Sequence, residues 1–219
     1  MNLKFKLSIA FVLSVFSLIG FSLMAFTISA HEFLNFDGIV ISFIQGWESP
    51  ILTTLMKFFT FIGSASSVII LSIFVLLFLY RVLKHRLELV LFSAVIIGSP
   101  LLNLILKLFF HRTRPDLHRL IEIGGYSFPS GHAMNAFTLY GILTFLLWRH
   151  IRTKWGRILL ILLSTMMILS IGISRIYLGV HYPSDIIGGY LASGCWLAIS
   201  IWFFQRHQER KNNKNTVKQ

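Results

Sequence analysis

Six stretches of this chain are almost free of polar side chains, and short clusters of charge separate them. They cover residues 7–30, 56–80, 87–110, 133–148, 158–178 and 186–204. A helix that crosses a bilayer needs about 20 predominantly apolar residues, so the pattern predicts six spanning helices. The fourth stretch is the shortest, which places its first turn in the membrane interface. The first follows Lys4 and Lys6 and could serve as a signal peptide. Its apolar length exceeds the ~7–15 residues that such a core uses, so it reads as a retained span.

Between the first two spans the pattern changes. Phe36, Ile39, Val40, Phe43, Ile44 and Trp47 recur at helical spacing, with Asp37, Ser42, Gln45 and Glu48 among them. This predicts an amphipathic helix lying in the outer interface. Ser49 and Pro50 suit the N-cap and first position of the next helix. The fold class expected is therefore all-α, a six-span bundle with one interfacial helix between spans 1 and 2. Residues 1–204 form a single membrane domain, and the polar, basic tail 205–219 is expected to be disordered.

Composition agrees with a membrane and leaves no need for a nucleic-acid partner. Hydrophobic residues make up 55% of the 219 and charged residues only 13%, about half the charged share of a soluble domain. The net charge is +12, which in a soluble chain would raise the question of nucleic acid. Its placement answers that question. With both termini inside, Lys4, Lys6, Arg81, Lys84, Arg86, Arg149, Arg152, Lys154, Arg157, Arg206, Arg210, Lys211, Lys214 and Lys218 are cytoplasmic, against Glu88 and Glu209. Outside, Lys57, Lys107, Arg112, Arg114, Arg119 and Arg175 balance Glu32, Asp37, Glu48, Asp116, Glu122 and Asp185. The entire excess lies on one side, as the positive-inside rule requires, so no basic surface is left for a nucleic acid to bind. The single cysteine, Cys195, lies in an apolar run and reads as a small buried side chain.

Three polar clusters fall on the outer side. The first runs from Lys107 to Arg114 and Pro115 and closes span 3. The second is Pro129, Ser130, Gly131 and His132, opening span 4. The third runs from Ser174 and Arg175 through His181 to Asp185, joining spans 5 and 6. Lys107 and Arg175 lie about a turn inside their helices, where a charge is costly unless paired or facing a polar cavity. Together with Arg114 they suggest an anion site, since guanidinium forks match phosphate and Lys adds a point charge. His111, Arg112, His118 and Arg119 read as interfacial decoration or lipid-head contacts. Ser130 suits a helix N-cap, and Gly131 lets a ligand approach the backbone of a helix start that favours anions. Gly179 suits a helix C-cap and Pro183 a helix start, which puts Asp185 one turn from His181. A carboxylate on one imidazole nitrogen fixes the tautomer and frees the other nitrogen as a nucleophile. His132, His181 and Asp185 could bind zinc on donor chemistry alone. Three cations around the same pocket would repel it, so no metal and no cofactor is expected.

These residues, Lys-x6-Arg-Pro, Pro-Ser-Gly-His and Ser-Arg-x5-His-x3-Asp, resemble the signature of the type-2 phosphatidic acid phosphatase, or lipid phosphate phosphatase, superfamily in its bacterial six-span form. Every signature position is filled, between Lys107 and Asp185. The resemblance implies a hydrolase acting on a lipid phosphate or pyrophosphate at the outer face of a cell membrane. In it, Lys107, Arg114, Ser130, Gly131 and Arg175 hold the phosphate. His181 is the nucleophile, Asp185 orients it, and His132 handles the leaving-group proton. Ser174 would support the pocket or simply pack its helix. The implied partners are a lipid phosphate substrate and membrane lipids. Phosphotransfer to another lipid is an alternative, as is transport of an anionic lipid. Against transport, no ionisable residue lies deep in the inner half of a span.

Overall fold

The computed structural model describes residues 3–30, 33–83, 86–116 and 118–216, so Glu32, Lys84 and Lys218 of the charge pattern lie outside the described residues. The apolar stretches become helices. They are α1 (Leu3–Ser29), α2 (Leu34–Gln45), α3 (Pro50–Ile62), α4 (Ala65–Phe78), α5 (Arg86–Phe110), α6 (Gly131–Trp148), α7 (Lys154–Tyr177) and α8 (Pro183–Thr216). Of these, α1, α5, α7 and α8 are each long and apolar enough to cross a membrane. The short α6 and the α3–α4 pair complete an all-α membrane bundle.

The second stretch departs from a continuous span. Its helix stops at Ile62 and restarts at Ala65. The cause is local chemistry at Gly63 and Ser64: Ser64 accepts the Ser67 N–H as an N-cap, and the Ser67 hydroxyl turns back to the Phe61 carbonyl at 2.7 Å. Such side-chain bonds compete with the helical ladder. A Cβ at Gly63 would come within 2.5 Å of Ile171, so the break lets α3 press closely on α7. Past Phe78 a π-helical turn, Leu79–Leu83, leads toward α5.

The tail also differs from expectation. Helix α8 continues to Thr216 instead of ending at residue 204. No Gly or Pro interrupts residues 205–219, and Gln, Arg, Lys and Glu are good helix formers. An Arg206–Glu209 pair at 3.9 Å and the buried Phe204 and Gln205 extend the packed part of the helix beyond the apolar run.

Helix α2 forms where the periodicity placed it, with its carboxylate turned inward. Ile39 is 71% and Phe43 69% exposed, turned away from the bundle, while Asp37 is 1% exposed and faces inward. In a bilayer the outward apolar face meets lipid, so the polar position is the one that needs protein partners. Helix α3 starts as predicted, with Ser49 as N-cap and Pro50 in the first turn, and turns through 120° relative to α2.

The main core lies between α5, α6 and α8, where Phe92, Val95, Leu139, Ile142 and Leu197 pack together. A second cluster sets Phe128 against Ala25 and Ile28 of α1. A third sets Tyr177, Leu178 and Val180 against Leu52 and Met56 of α3. These two clusters clamp the end of the bundle where the three polar segments meet. At the opposite end Arg149 pairs with Glu88 at 3.0 Å, joining the connections around α5 and α6.

Candidate active site

Each polar segment is delivered by a helix end. Lys107 lies in the last turn of α5. After Phe110 the chain turns sharply at His111, whose φ of 50° is left-handed, and this turn sends Arg112 and Arg114 back over the bundle. Ser130 caps α6, its hydroxyl accepting the Ala133 N–H at 3.5 Å. His132 is then the second residue of α6, packed beside Gly63 at the break after α3. Arg175 lies in the last turn of α7. Gly179 reverses the chain with φ of 72°, and a Cβ there would overlap the His118 carbonyl, so the turn that presents His181 requires glycine. Pro183 opens α8, and Asp185 follows in its first turn.

His181 and Asp185 meet as the spacing predicted. His181 Nδ1 is 3.3 Å from Asp185 Oδ2. The same carboxylate oxygen accepts the Tyr182 N–H at 2.9 Å and the Ser127 hydroxyl. On the other edge of the ring, Arg114 Nη1 lies 3.1 Å from His181 Nε2. A guanidinium can only donate, so Nε2 carries a lone pair and Nδ1 carries the proton toward Asp185. Burial pushes the His181 imidazole down to about 4, although Asp185 and its hydrogen bond pull the other way. The ring is therefore neutral at neutral pH, with Nε2 unprotonated and facing the cations.

Three of those cations have only neutral partners among the described residues. Lys107 Nζ donates to the Tyr126 carbonyl at 2.5 Å. Arg114 donates to the carbonyls of Gly125 at 2.9 Å and Val180 at 2.8 Å. Arg175 is 1% exposed; it donates to the Thr60 hydroxyl, and its Nε has no partner among the described residues. A buried guanidinium N–H without an acceptor is costly. Three cations with only neutral partners form a site suited to an anion. His132 lies within electrostatic reach of Arg175, His181, Arg114 and Lys107, so the five groups form one cluster. Ser130 is fully buried, and its N–H donates to the Asp185 carbonyl at 3.1 Å, tying the two helix starts together. At Gly131 a Cβ would lie 3.1 Å from Asn103 Oδ1. Asn103 in turn donates to the Pro129 carbonyl at 3.0 Å, holding that segment in place.

Of two further placements, that of Ser174 fits its packing alternative and that of Arg112 differs from the sequence reading. Ser174 is fully buried but turns its hydroxyl to the Ile171 carbonyl at 2.7 Å, a bond within its own helix and not toward the pocket. Arg112 is no interfacial decoration: it forks between Asp185 at 2.7 Å and Asp37 at 2.9 Å. His118 and Arg119 do lie at the rim, paired with Glu48 and Asp116. Ser127, Thr60, Arg112 and Asp37 belong to the site, and sequence reasoning missed all four. Only Asp37 left a signal, as a lone carboxylate on an otherwise apolar helix. Among the described residues, no three His, Cys, Asp or Glu side chains gather in an arrangement that could hold a metal ion.

Comparison with known proteins bears on the family and the fold. The family model for the PAP2 superfamily matches residues 87–209. Phosphatidylglycerophosphatase B of Bacillus subtilis (strain 168) is 32% identical over 167 residues, which is 74% of this chain and 77% of that protein. A putative undecaprenyl-diphosphatase, YbjG of Escherichia coli (strain K12), is 42% identical over 84 residues, 37% of this chain and 38% of its own length. Among solved structures, a transmembrane PAP2-type phosphatidylglycerolphosphate phosphatase from Bacillus subtilis superimposes with a TM-score of 0.74 at 27% identity, covering 90% of this chain and 96% of that one. LpxE of Aquifex aeolicus superimposes with a TM-score of 0.58 at 29% identity, over 74% of this chain and 92% of that one.

Proposed function

This chain belongs to the PAP2 superfamily and is a membrane phosphatase, and from that premise we propose that it removes phosphate from a lipid phosphate or pyrophosphate through a phosphohistidine on His181. The observation that carries this reading is His181 Nε2 facing Arg114, a cation with no carboxylate partner among the described residues. The substrate phosphate supplies the anion. Lys107, Arg114, Arg175 and the start of α6 at Ser130 and Gly131 bind its oxygens. His181 Nε2 attacks phosphorus in line, and the bond to the lipid oxygen breaks as the new P–N bond forms. His132 gives its proton to the departing oxygen. Asp185 stabilises the charge that the ring acquires. In the second step His132 takes a proton from water, the water oxygen attacks phosphorus, and the P–N bond breaks. Orthophosphate leaves, and both histidines return to their starting states. The cations carry the charge stabilisation that a metal ion would otherwise give.

By the charge pattern, the pocket faces the extracytoplasmic side and both termini are cytoplasmic. Phosphatidylglycerophosphate is the leading substrate, on the name of the Bacillus relative that spans most of this chain; undecaprenyl pyrophosphate follows on the shorter match. Phosphate release by the detergent-purified chain from a panel of lipid phosphates, with and without EDTA, tests this reading. The expected result is release from at least one of these lipids, undiminished by EDTA. No release from any of them, or loss with EDTA that zinc or magnesium restores, would overturn it.

A further inference from the structure

We propose that Arg112 and Asp37 are positioning residues for the reaction, bracing Asp185 from the interfacial helix. This rests on the assignment of His181 as nucleophile. Arg112 leaves the turn after α5 and extends one arm to each of two carboxylates. Its Nη1 donates to Asp185 Oδ1 at 2.7 Å and to the Ser184 hydroxyl at 2.7 Å; its Nη2 donates to Asp37 Oδ2 at 2.9 Å. Asp37 is held from the other side by Ser184, whose N–H donates to Oδ1 at 2.9 Å and whose hydroxyl donates to Oδ2 at 2.6 Å. The Arg112 guanidinium also lies 4.2 Å from the centroid of the Tyr182 ring, next in sequence to His181. Helix α2, the loop after α5 and the first turn of α8 thus meet in one ionic network, and Asp185 is fully buried within it.

The two oxygens of Asp185 divide the work. Oδ2 serves His181, Tyr182 and Ser127, while Oδ1 is taken by Arg112. Rotating the carboxylate away from His181 would break a charge-assisted bond to Arg112, and moving Arg112 would break the one to Asp37. Arg112 differs from Lys107, Arg114 and Arg175 because its charge is already matched by two carboxylates. Both of its terminal nitrogens are engaged by carboxylates, so its contribution belongs to the chemical step and not to phosphate binding.

Replacing Asp37 and Arg112 in the full-length protein, assayed in detergent on a lipid phosphate that the wild type cleaves, tests this. Partners that orient a reacting group are worth about 10–100-fold in activity. Asp37→Asn and Arg112→Gln should each lower kcat within that range with KM unchanged. In quenched-flow measurements the phosphoenzyme amplitude, which counts folded sites, should be preserved while its rate of formation falls. Arg112→Lys should recover only part of the loss, because ammonium cannot fork. The double variant should be no slower than Arg112→Gln, because both act through one chain of contacts. If Arg112→Gln does not fold, Asp37→Asn alone decides, since it removes one of two neighbouring carboxylates and leaves the arginine paired with Asp185. A raised KM with kcat intact, an Asp37→Asn variant indistinguishable from wild type, or a fall in amplitude instead of rate would overturn the proposal. A wild-type protein that forms no phosphohistidine would instead overturn the assignment of His181.

Discussion

Arg114 and His181 show how much one hydrogen bond can decide. Because Arg114 can only donate, the nitrogen it faces is the one with the lone pair, and the proton goes to the nitrogen facing Asp185. Burial keeps that ring neutral, and this has a consequence for stability. An unfolded imidazole protonates near pH 6.5, while the folded one resists until about 4. Between those values the unfolded chain binds more protons, so stability falls as pH drops through that window. The melting temperature in detergent should therefore fall between pH 7 and pH 5, and the fall should shrink in His181→Gln; an equal fall in both would contradict the shift. Gly179→Ala should cost far more activity than an average surface change, because both its positive φ and the His118 carbonyl exclude a methyl. Assay and thermal unfolding of the purified variant check this, and wild-type values for both would refute it. Lys107, Arg175 and the histidines of the signature were legible because charge and polarity are costly at or near the ends of apolar helices. Arg112 and Ser127 were not, because their partners lie 73 and 58 residues away and nothing local marks the pairing.

At the scale of elements, apolar length and capping chemistry gave α1, α5, α6 and α7 to within a few residues. They failed where polar atoms compete with the helix ladder or where breakers are lacking. The span through Gly63 divides because Ser64 and Ser67 offer the backbone other partners. The break matters to the site: Thr60, in the last turn of α3, holds Arg175, and Gly63 lies against His132. Gly63→Leu should push α3 away from α7 and reduce activity at least as much as Thr60→Val. Phosphate release that matches wild type in Gly63→Leu would refute this. For α2 the periodicity was legible but the direction of its polar face was not, since a helix reads the same whether water or protein meets Asp37. Its outward face predicts a membrane effect. Ile39→Asp with Phe43→Asp should weaken activity in liposomes, because two charges then sit at the lipid boundary. Unchanged turnover in liposomes would show that α2 does not contact the bilayer.

Across the whole molecule, the three polar clusters meet only because four helices end at the same level of the bundle. The proposed orientation puts that level at the outer face. In a Cys195-free background, single cysteines at Glu122 and Lys154 should label from outside and only after permeabilisation, respectively; equal labelling in sealed cells would contradict the topology. The central claim is that this assembly makes a phosphohistidine on one named ring. Quenching turnover of labelled lipid phosphate and recovering acid-labile, base-stable label on the protein tests it most directly. The wild type should trap label transiently, His181→Ala should trap none, and His132→Ala should accumulate it, having lost the base for the second step. Label persisting in His181→Ala and absent from His132→Ala would exchange the two roles and contradict the account.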